Sequence, residues 1–239
     1  MITHRAIGQQ GRLGNQMFQY ASIIGIAKKY NYDYCFHNDH LLNSYFNLSY
    51  PVCDYNLMNN FQDMEDAGPN AEYPDNTTFH EFFQSEAYFK HCSDFIKSEF
   101  IFKDHIKKPV DEWMANKSYI SMHIRRTDYT YNAHFHTNLS IDWYNKAKEY
   151  FNDPKILIIS DDKSWCKEYF PLDTISPFET DGEDLYAMTQ CSGHIIANSS
   201  FSWWGAYLSN GDKTIIPKEW HTGNMDAGDP YKMDNGIFL

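Results

Sequence analysis

The sequence predicts an α/β protein made of two Rossmann-like units facing a central cleft. Three observations carry that prediction. From Tyr119 onward, short β-branched runs alternate with amphipathic segments, the pattern of a parallel sheet with crossover helices. Near the amino terminus, a strand, a glycine-bearing turn and a long apolar helix follow one another in the same manner. Between these regions Lys107-Lys108-Pro109 reads as a linker, because a proline after charged residues discourages helix continuation. The expected domains are therefore 1–109 and 110–239.

In chain order, the first domain begins with a strand near Ile2 to Ile7, then a helix from about Gln16 to Tyr30 and a strand near Asp33 to Phe36. Between Asn38 and Glu81 the sequence is polar, punctuated by Pro51, Pro69 and Pro74, and reads as loops with little helix. The second domain reads as a strand over Tyr119 to Ile124, a helix over Ile141 to Phe151 and a strand over Ile156 to Ser160. It continues with a helix over Lys163 to Phe170, a short strand over Asp173 to Ser176, a helix over Glu183 to Cys191 and a strand over His194 to Ala197. A helix over Ser202 to Ser209 and a strand over Lys213 to Ile216 complete a Rossmann-like half of about five strands.

Composition narrows the function. The net charge of -12 argues against nucleic acid, whose binding is driven by a basic face. Aromatic residues make up 17% of the chain, which mildly favours stacking on sugars. The cysteines Cys35, Cys53, Cys92, Cys166 and Cys191 are scattered and odd in number, without C-x-x-C spacing. They indicate neither a disulfide framework nor a zinc site, and a reducing compartment follows. No apolar run has transmembrane or signal-peptide length. The expected location is the cytoplasm, with a peripheral position at the inner membrane face compatible with it.

Three motifs carry chemistry. In His123-Ile124-Arg125-Arg126-Thr127-Asp128 a histidine and two arginines follow an apolar strand run, at the strand end where open α/β sheets bind ligands. A guanidinium fork matches the paired oxygens of phosphate or carboxylate, so the inferred ligand is an anion, with a diphosphate the expected one. The second motif runs from Gly11 to Ala21 (GRLGNQMFQYA), where glycines allow close backbone approach before a helix N-terminus. It is not a dinucleotide fingerprint, since the third glycine is missing. The third, Asn198-Ser199-Ser200-Phe201, follows a strand and opens a helix; its hydroxyls and N–H groups suit either a phosphate or an ordinary N-cap. Trp203 and Trp204 behind it read as core or as a seal between domains. Asp161-Asp162 does not have D-x-D metal-site spacing.

GRLGNQMFQYA, HIRRTDY and EDLYAMTQCSGHIIANSSFSWWGAYL together resemble the bacterial-type alpha-1,2-fucosyltransferase family, and QSEAYF, LSIDWYNKAKEYF and ISDDKSWCKEYF resemble its usual segments. The resemblance runs in order over about residues 7 to 220. It implies a GT-B-like fold and an inverting transferase that moves fucose from GDP-fucose to the 2-hydroxyl of a terminal galactose on a glycan. It implies no cofactor and no obligatory metal. By position, Arg125 would hold the β-phosphate, with His123 and Arg126 beside the diphosphate and fucose. Asn198, Ser199, Ser200 and Phe201 would cradle phosphate, and Asp184 would read the guanine edge. Gly14, Asn15 and Gln16 would close on the donor from the amino-terminal, acceptor-side domain. A general base is not singled out: His134, His136, Asp128 and Glu81 all remain open. The compressed region between Phe46 and Phe79 and the tail from Thr222 to Leu239 depart from the family pattern and leave the acceptor open. The alternatives are a fucosyltransferase of other regiochemistry or acceptor, and an inactive sugar- or nucleotide-binding protein of the same fold.

Overall fold

The computed structural model describes residues 1–54, 61–223 and 231–239. Parts of the compressed region (55–60) and of the tail (224–230) lie outside the described residues. The chain divides into two units, Met1–Lys103 and Asp104–Leu239.

The first unit is built on a four-stranded parallel sheet in the order β2-β1-β4-β3, formed by β1 (Ile2–His4), β2 (Tyr34–Cys35), β3 (Gln62–Asp63) and β4 (Thr77–Phe79). Strands β3 and β4 fall in the stretch read as loop. Their Gln-Asp and Thr-Thr-Phe sequences carry almost no alternation, and pairing with β1 makes them strands where local pattern does not. The helix Leu13–Tyr30 begins earlier than read and is buried on nearly every side from Leu13 to Ala27. It ends on Asn31 in the left-handed conformation, a common C-terminal stop. About half of the aromatic residues are buried core: Tyr20 stacks on Phe36 at 4.5 Å, and Phe79 meets Phe83 edge-on at 5.3 Å.

Two readings are corrected here. Cys35 and Cys53 form a disulfide, closing a sequence separation of 18. The segment after Pro51 bridges to Phe36 beside β2, which brings the two Cα atoms to 5.0 Å, within disulfide reach. Sequence spacing cannot reveal such a pairing, and the bond removes the ground for reading a reducing compartment. The linker reading also fails, because Lys107-Lys108-Pro109 lies inside the helix Asp104–Met114 and the units divide before it. A proline inside a helix costs about 3 kcal/mol. Burial of Ile106, Val110 and Met114 along one face offsets it at roughly 1.5–3 kcal/mol per side chain.

The second unit contains a six-stranded parallel sheet in the order β10-β9-β8-β5-β6-β7. Its strands are β5 (Ile120–Ile124), β6 (Ile156–Ser160), β7 (Thr174–Ile175), β8 (Gly193–Ile195), β9 (Thr214–Ile216) and β10 (Gly236–Phe238). The strands and helices read from Tyr119 onward are present with ends shifted by a few residues; β10, a half-exposed edge strand with little pattern, was not foreseen. Central strands β5 and β6 are buried along their whole length, as expected for a sheet covered on both faces. Trp203 and Trp204 are fully buried within this unit, with Trp203 stacked on Tyr207 at 4.7 Å. Chain order reverses between β5 and β8, so the crevice beyond their carboxyl ends is the topological switch point where such sheets bind ligands.

Candidate active site

Arg125 is the first residue after β5, and Asn198 to Phe201 follow closely after β8, so the two motifs meet at the switch point. The register explains which side chains gather there. Ile124 pairs with Ser160 across β5 and β6, so the next residues, Arg125 and Asp161, lie side by side. Arg125 is nearly buried and binds two carboxylates, Asp128 at 2.7 Å and Asp161 at 3.1 Å. Arg126 pairs with Asp162 at 3.3 Å and lies over the Trp165 ring at 3.9 Å. The expected basic pocket is therefore neutralised by three carboxylates: Asp128, which belongs to the arginine motif itself, and Asp161 and Asp162, which the sequence does not pair with the arginines.

These carboxylates differ in commitment. Asp161 also accepts the backbone N–H groups of Arg126 and Thr127 and the Thr127 hydroxyl, which fixes it at the start of the helix Thr127–Tyr131. Asp162 caps the helix Lys163–Tyr169 by accepting Trp165 N–H at 3.0 Å. Asp128 is the most exposed of the three, with 41% of its side chain open to solvent, so its pair with Arg125 is the least shielded.

His123 lies in β5 itself and is buried. Phe201 covers it at a ring separation of 5.3 Å, and its buried Nδ1 makes no hydrogen bond. Burial first, and Arg125 second, push its pKa down to about 3, so it serves this site as a neutral imidazole. Ser199 is the buried N-cap of the helix Ser200–Tyr207, yet its side chain makes no capping bond. Asn198 is positioned differently from a ligand contact. Its side-chain amide donates to Thr137 O at 3.0 Å and to Trp220 O at 2.7 Å, while its carbonyl accepts from Tyr129 OH at 2.8 Å. It staples the serine loop to three other segments.

Asp184 lies in the helix Asp181–Thr189 and faces a cleft of about 400 Å³ lined also by Asp161, Asp162, Lys163 and Phe178. Burial raises its carboxyl to about 7 against a hydrogen bond from Ser176 Oγ and the nearby Lys163, which favour the ion. That cleft adjoins the arginine site through Asp161 and Asp162, at the carboxyl end of β6.

In the first unit, Gly11 has a φ of +75°, and a Cβ there would come within 2.5 Å of Asn15 Cβ. Gly14, Asn15 and Gln16 occupy the first turn of the helix Leu13–Tyr30 rather than the preceding turn. Gln16 is buried, donating to Gly11 O at 3.1 Å and accepting from Leu41 N at 2.9 Å, so it shapes the loop. Asn15 accepts from Gln84 Nε2 at 3.0 Å, a partner not foreseen from sequence. Among the open candidates for a base, Asp128 is ion-paired, His136 lies flat on Tyr129 at 3.9 Å, and Glu81 belongs to the first unit, accepting His80 N–H at 3.1 Å. His134 lies on the exposed turn before His136.

Among the described residues no helix is long and apolar enough to cross a membrane. Comparison with known proteins places this geometry in a family. An O-antigen biosynthesis glycosyltransferase, WbnK, of Escherichia coli is 37% identical over 150 residues, 56% of this chain and 48% of that protein. An alpha-1,2-colitosyltransferase of Escherichia coli is 34% identical over 169 residues, 63% of this chain and 58% of its own length. Galactoside alpha-(1,2)-fucosyltransferase 1 of Rattus norvegicus is 25% identical over 252 residues, 86% of this chain and 64% of that protein. The chain thus spans about half to two thirds of the length of these relatives. Among solved structures, the fucosyltransferase NodZ from Bradyrhizobium matches with a TM-score of 0.59 at 14% identity, covering 87% of this chain and 93% of its own. POFUT1 in complex with GDP matches at 0.54 and 11% identity, covering 88% and 94%. These likenesses establish the GT-B-like α/β fold. Residues 2–234 match the family described as glycosyl transferase family 11, and the chain belongs to it.

Proposed function

We propose that this glycosyltransferase moves fucose from GDP-fucose to the 2-hydroxyl of a terminal galactose on a glycan, with inversion and without an obligatory metal. The observation that carries the reading is Arg125 at the switch point, nearly buried and opposite the Ser199-Ser200 loop. Cleavage of the fucosyl C1–O bond leaves negative charge on the β-phosphate. A guanidinium held there by Asp161 is preorganised to stabilise that charge as it develops. The diphosphate takes the place of Asp128 on Arg125, and the Ser199 hydroxyl adds a donor. The cleft beside Asp184 receives the guanosine, whose N1–H and N2–H groups suit a carboxylate. The first unit, with the Asn15 loop, serves the acceptor side.

The similarity to a colitosyltransferase supports a second reading of the donor sugar, colitose in place of fucose on the same guanosine diphosphate. Thermal-shift measurements with GDP, GDP-fucose, GDP-mannose and UDP-galactose, with and without EDTA, test the donor class. Stabilisation by GDP and GDP-fucose that survives EDTA is the expected result, and GDP-colitose against GDP-fucose in a transfer assay ranks the sugars. Arg125→Ala should lower transfer by roughly 100- to 1,000-fold, the usual cost of one such electrostatic donor, while glycan affinity persists. A folded protein that responds to no guanine nucleotide overturns the reading.

A further inference from the structure

Beyond the arginine site, the second unit presents an aromatic surface that neither the donor nor the fold accounts for. After the helix Thr127–Tyr131 the chain turns back so that His136 bridges antiparallel to His221. Thr222 reinforces the turn by donating its N–H to Phe135 O and its hydroxyl to Ala133 O, both at 3.0 Å. Phe135 meets His136 edge-on at 4.8 Å and His221 at 4.7 Å, and still leaves 54% of itself exposed. His136 lies flat on Tyr129, whose ring centre is 5.6 Å from the Arg125 guanidinium.

We propose that the wall formed by Phe135, His136 and His221 is the acceptor's sugar subsite. Phe135 takes the apolar face of a neutral pyranose, and the two imidazoles take its rim hydroxyls. The inference rests on the transferase reading and adds to it a surface in the second unit, where the sequence placed the acceptor in the first. Three observations converge on it. The wall is continuous with the arginine site: His136 stacks on Tyr129, whose ring is the one Arg125 approaches, so a glycan lying along the wall is led toward the group that stabilises the leaving phosphate. It is rigidly built: Asn198 binds the carbonyls of Thr137 and Trp220, which flank the two histidines, and Asn138 donates to Tyr129 O at 3.0 Å. Its chemistry suits an uncharged polyol. A pyranose has a C–H face that stacks on an aromatic ring, and hydroxyls that both donate and accept. Burial holds His136 and His221 below their ordinary pKa; around His136, Arg125, His134 and His221 add to this and Asp128 opposes it. Both rings are therefore neutral near pH 7, and since Nδ1 of each is buried, Nε2 is the nitrogen that would meet a hydroxyl.

The test uses Phe135→Ala and Phe135→Trp, because Phe135 is 54% exposed and its truncation should change the melting temperature little. Lactose is the probe, followed by saturation-transfer NMR in the presence of GDP and by the acceptor KM in transfer. Phe135→Ala should raise the acceptor KM about tenfold, equivalent to about 1.4 kcal/mol, with donor KM and the GDP-induced thermal shift unchanged. Phe135→Trp should restore it. Lactose contacts and acceptor KM identical in wild type and Phe135→Ala overturn the subsite. Failure of the transferase reading shows separately, as absence of any guanine-nucleotide shift in wild type, and leaves the lactose NMR comparison standing.

Discussion

Asp184, the residue proposed to read guanine, ties the stability of the fold to pH. Its folded pKa, raised by burial to about 7 from an ordinary 3.8, means that the folded state holds a proton that the unfolded chain releases. The stability this contributes is complete below pH 3.8 and is lost as pH rises through about 7. At pH 8 the buried carboxylate is a burden on the fold, and Asp184→Asn should raise the melting temperature there while changing little at pH 4. Guanine recognition reverses the preference, because only the ionised carboxylate accepts two N–H donors at once. GDP affinity of the wild type should therefore climb between pH 6 and 8, by at most about tenfold per pH unit, and the profile of Asp184→Asn should be weak and flat. Titration calorimetry across that range decides; a flat wild-type profile removes Asp184 from guanine binding. At this scale the arginines and serines were legible because each motif directly follows an apolar strand run. Asp161 and Asp162 were not, because their partners are 35 and 36 residues away and meet them through strand register, which spacing does not encode.

At the scale of elements, the second unit was readable because β5, β6 and the helices between them carry strong apolar periodicity. The first unit was harder. Strands of two or three residues are created by their neighbours, and the disulfide depends on which loop returns beside β2. What organises that unit is the long buried helix, and Gly25 marks its tightest contact. A Cβ at Gly25 would lie 2.3 Å from Tyr88 O and 2.8 Å from Phe89 Cα, both backbone atoms of the turns packed against the helix. Alanine improves intrinsic helix propensity by about 1 kcal/mol, but overpacking against atoms that cannot rotate away costs typically 1–3 kcal/mol. The steric effect wins, so Gly25→Ala should lower stability. Gly205 offers a partial contrast: the nearest atoms its Cβ would meet all belong to the Met188 side chain, Sδ and Cε at 2.8 Å, which can swing away, and Cβ at 2.9 Å, which cannot. Urea denaturation of the two variants should show the larger loss at Gly25; equal losses would mean that the turn at Tyr88 yields as readily as a methionine.

Across the whole molecule, acid is the condition to which the fold is most exposed. Burial lowers His4, His40 and His194 to about 4 and His123 to about 3, so all four remain neutral in the folded chain while the unfolded chain protonates near 6.5. The histidines' contribution is thus complete above pH 6.5 and falls as pH drops toward 4, each contributing up to about a tenfold change in the folding equilibrium per pH unit. Two effects oppose this. Asp184 gains stability over the same range, but it is one group against four. The net charge of -12 also shrinks toward the isoelectric point near 5.3, which relieves repulsion. Surface repulsion is screened over about 8 Å at physiological ionic strength, whereas a buried imidazole feels little of the salt. At 0.15 M salt the histidines should therefore prevail, and the urea midpoint should fall steadily from pH 7 to 4.5. His4 and His40 belong to the first unit and His123 and His194 to the second, so acid should weaken both units over one pH window. A midpoint that holds steady to pH 4.5 would show that the four imidazoles are not kept neutral by the fold.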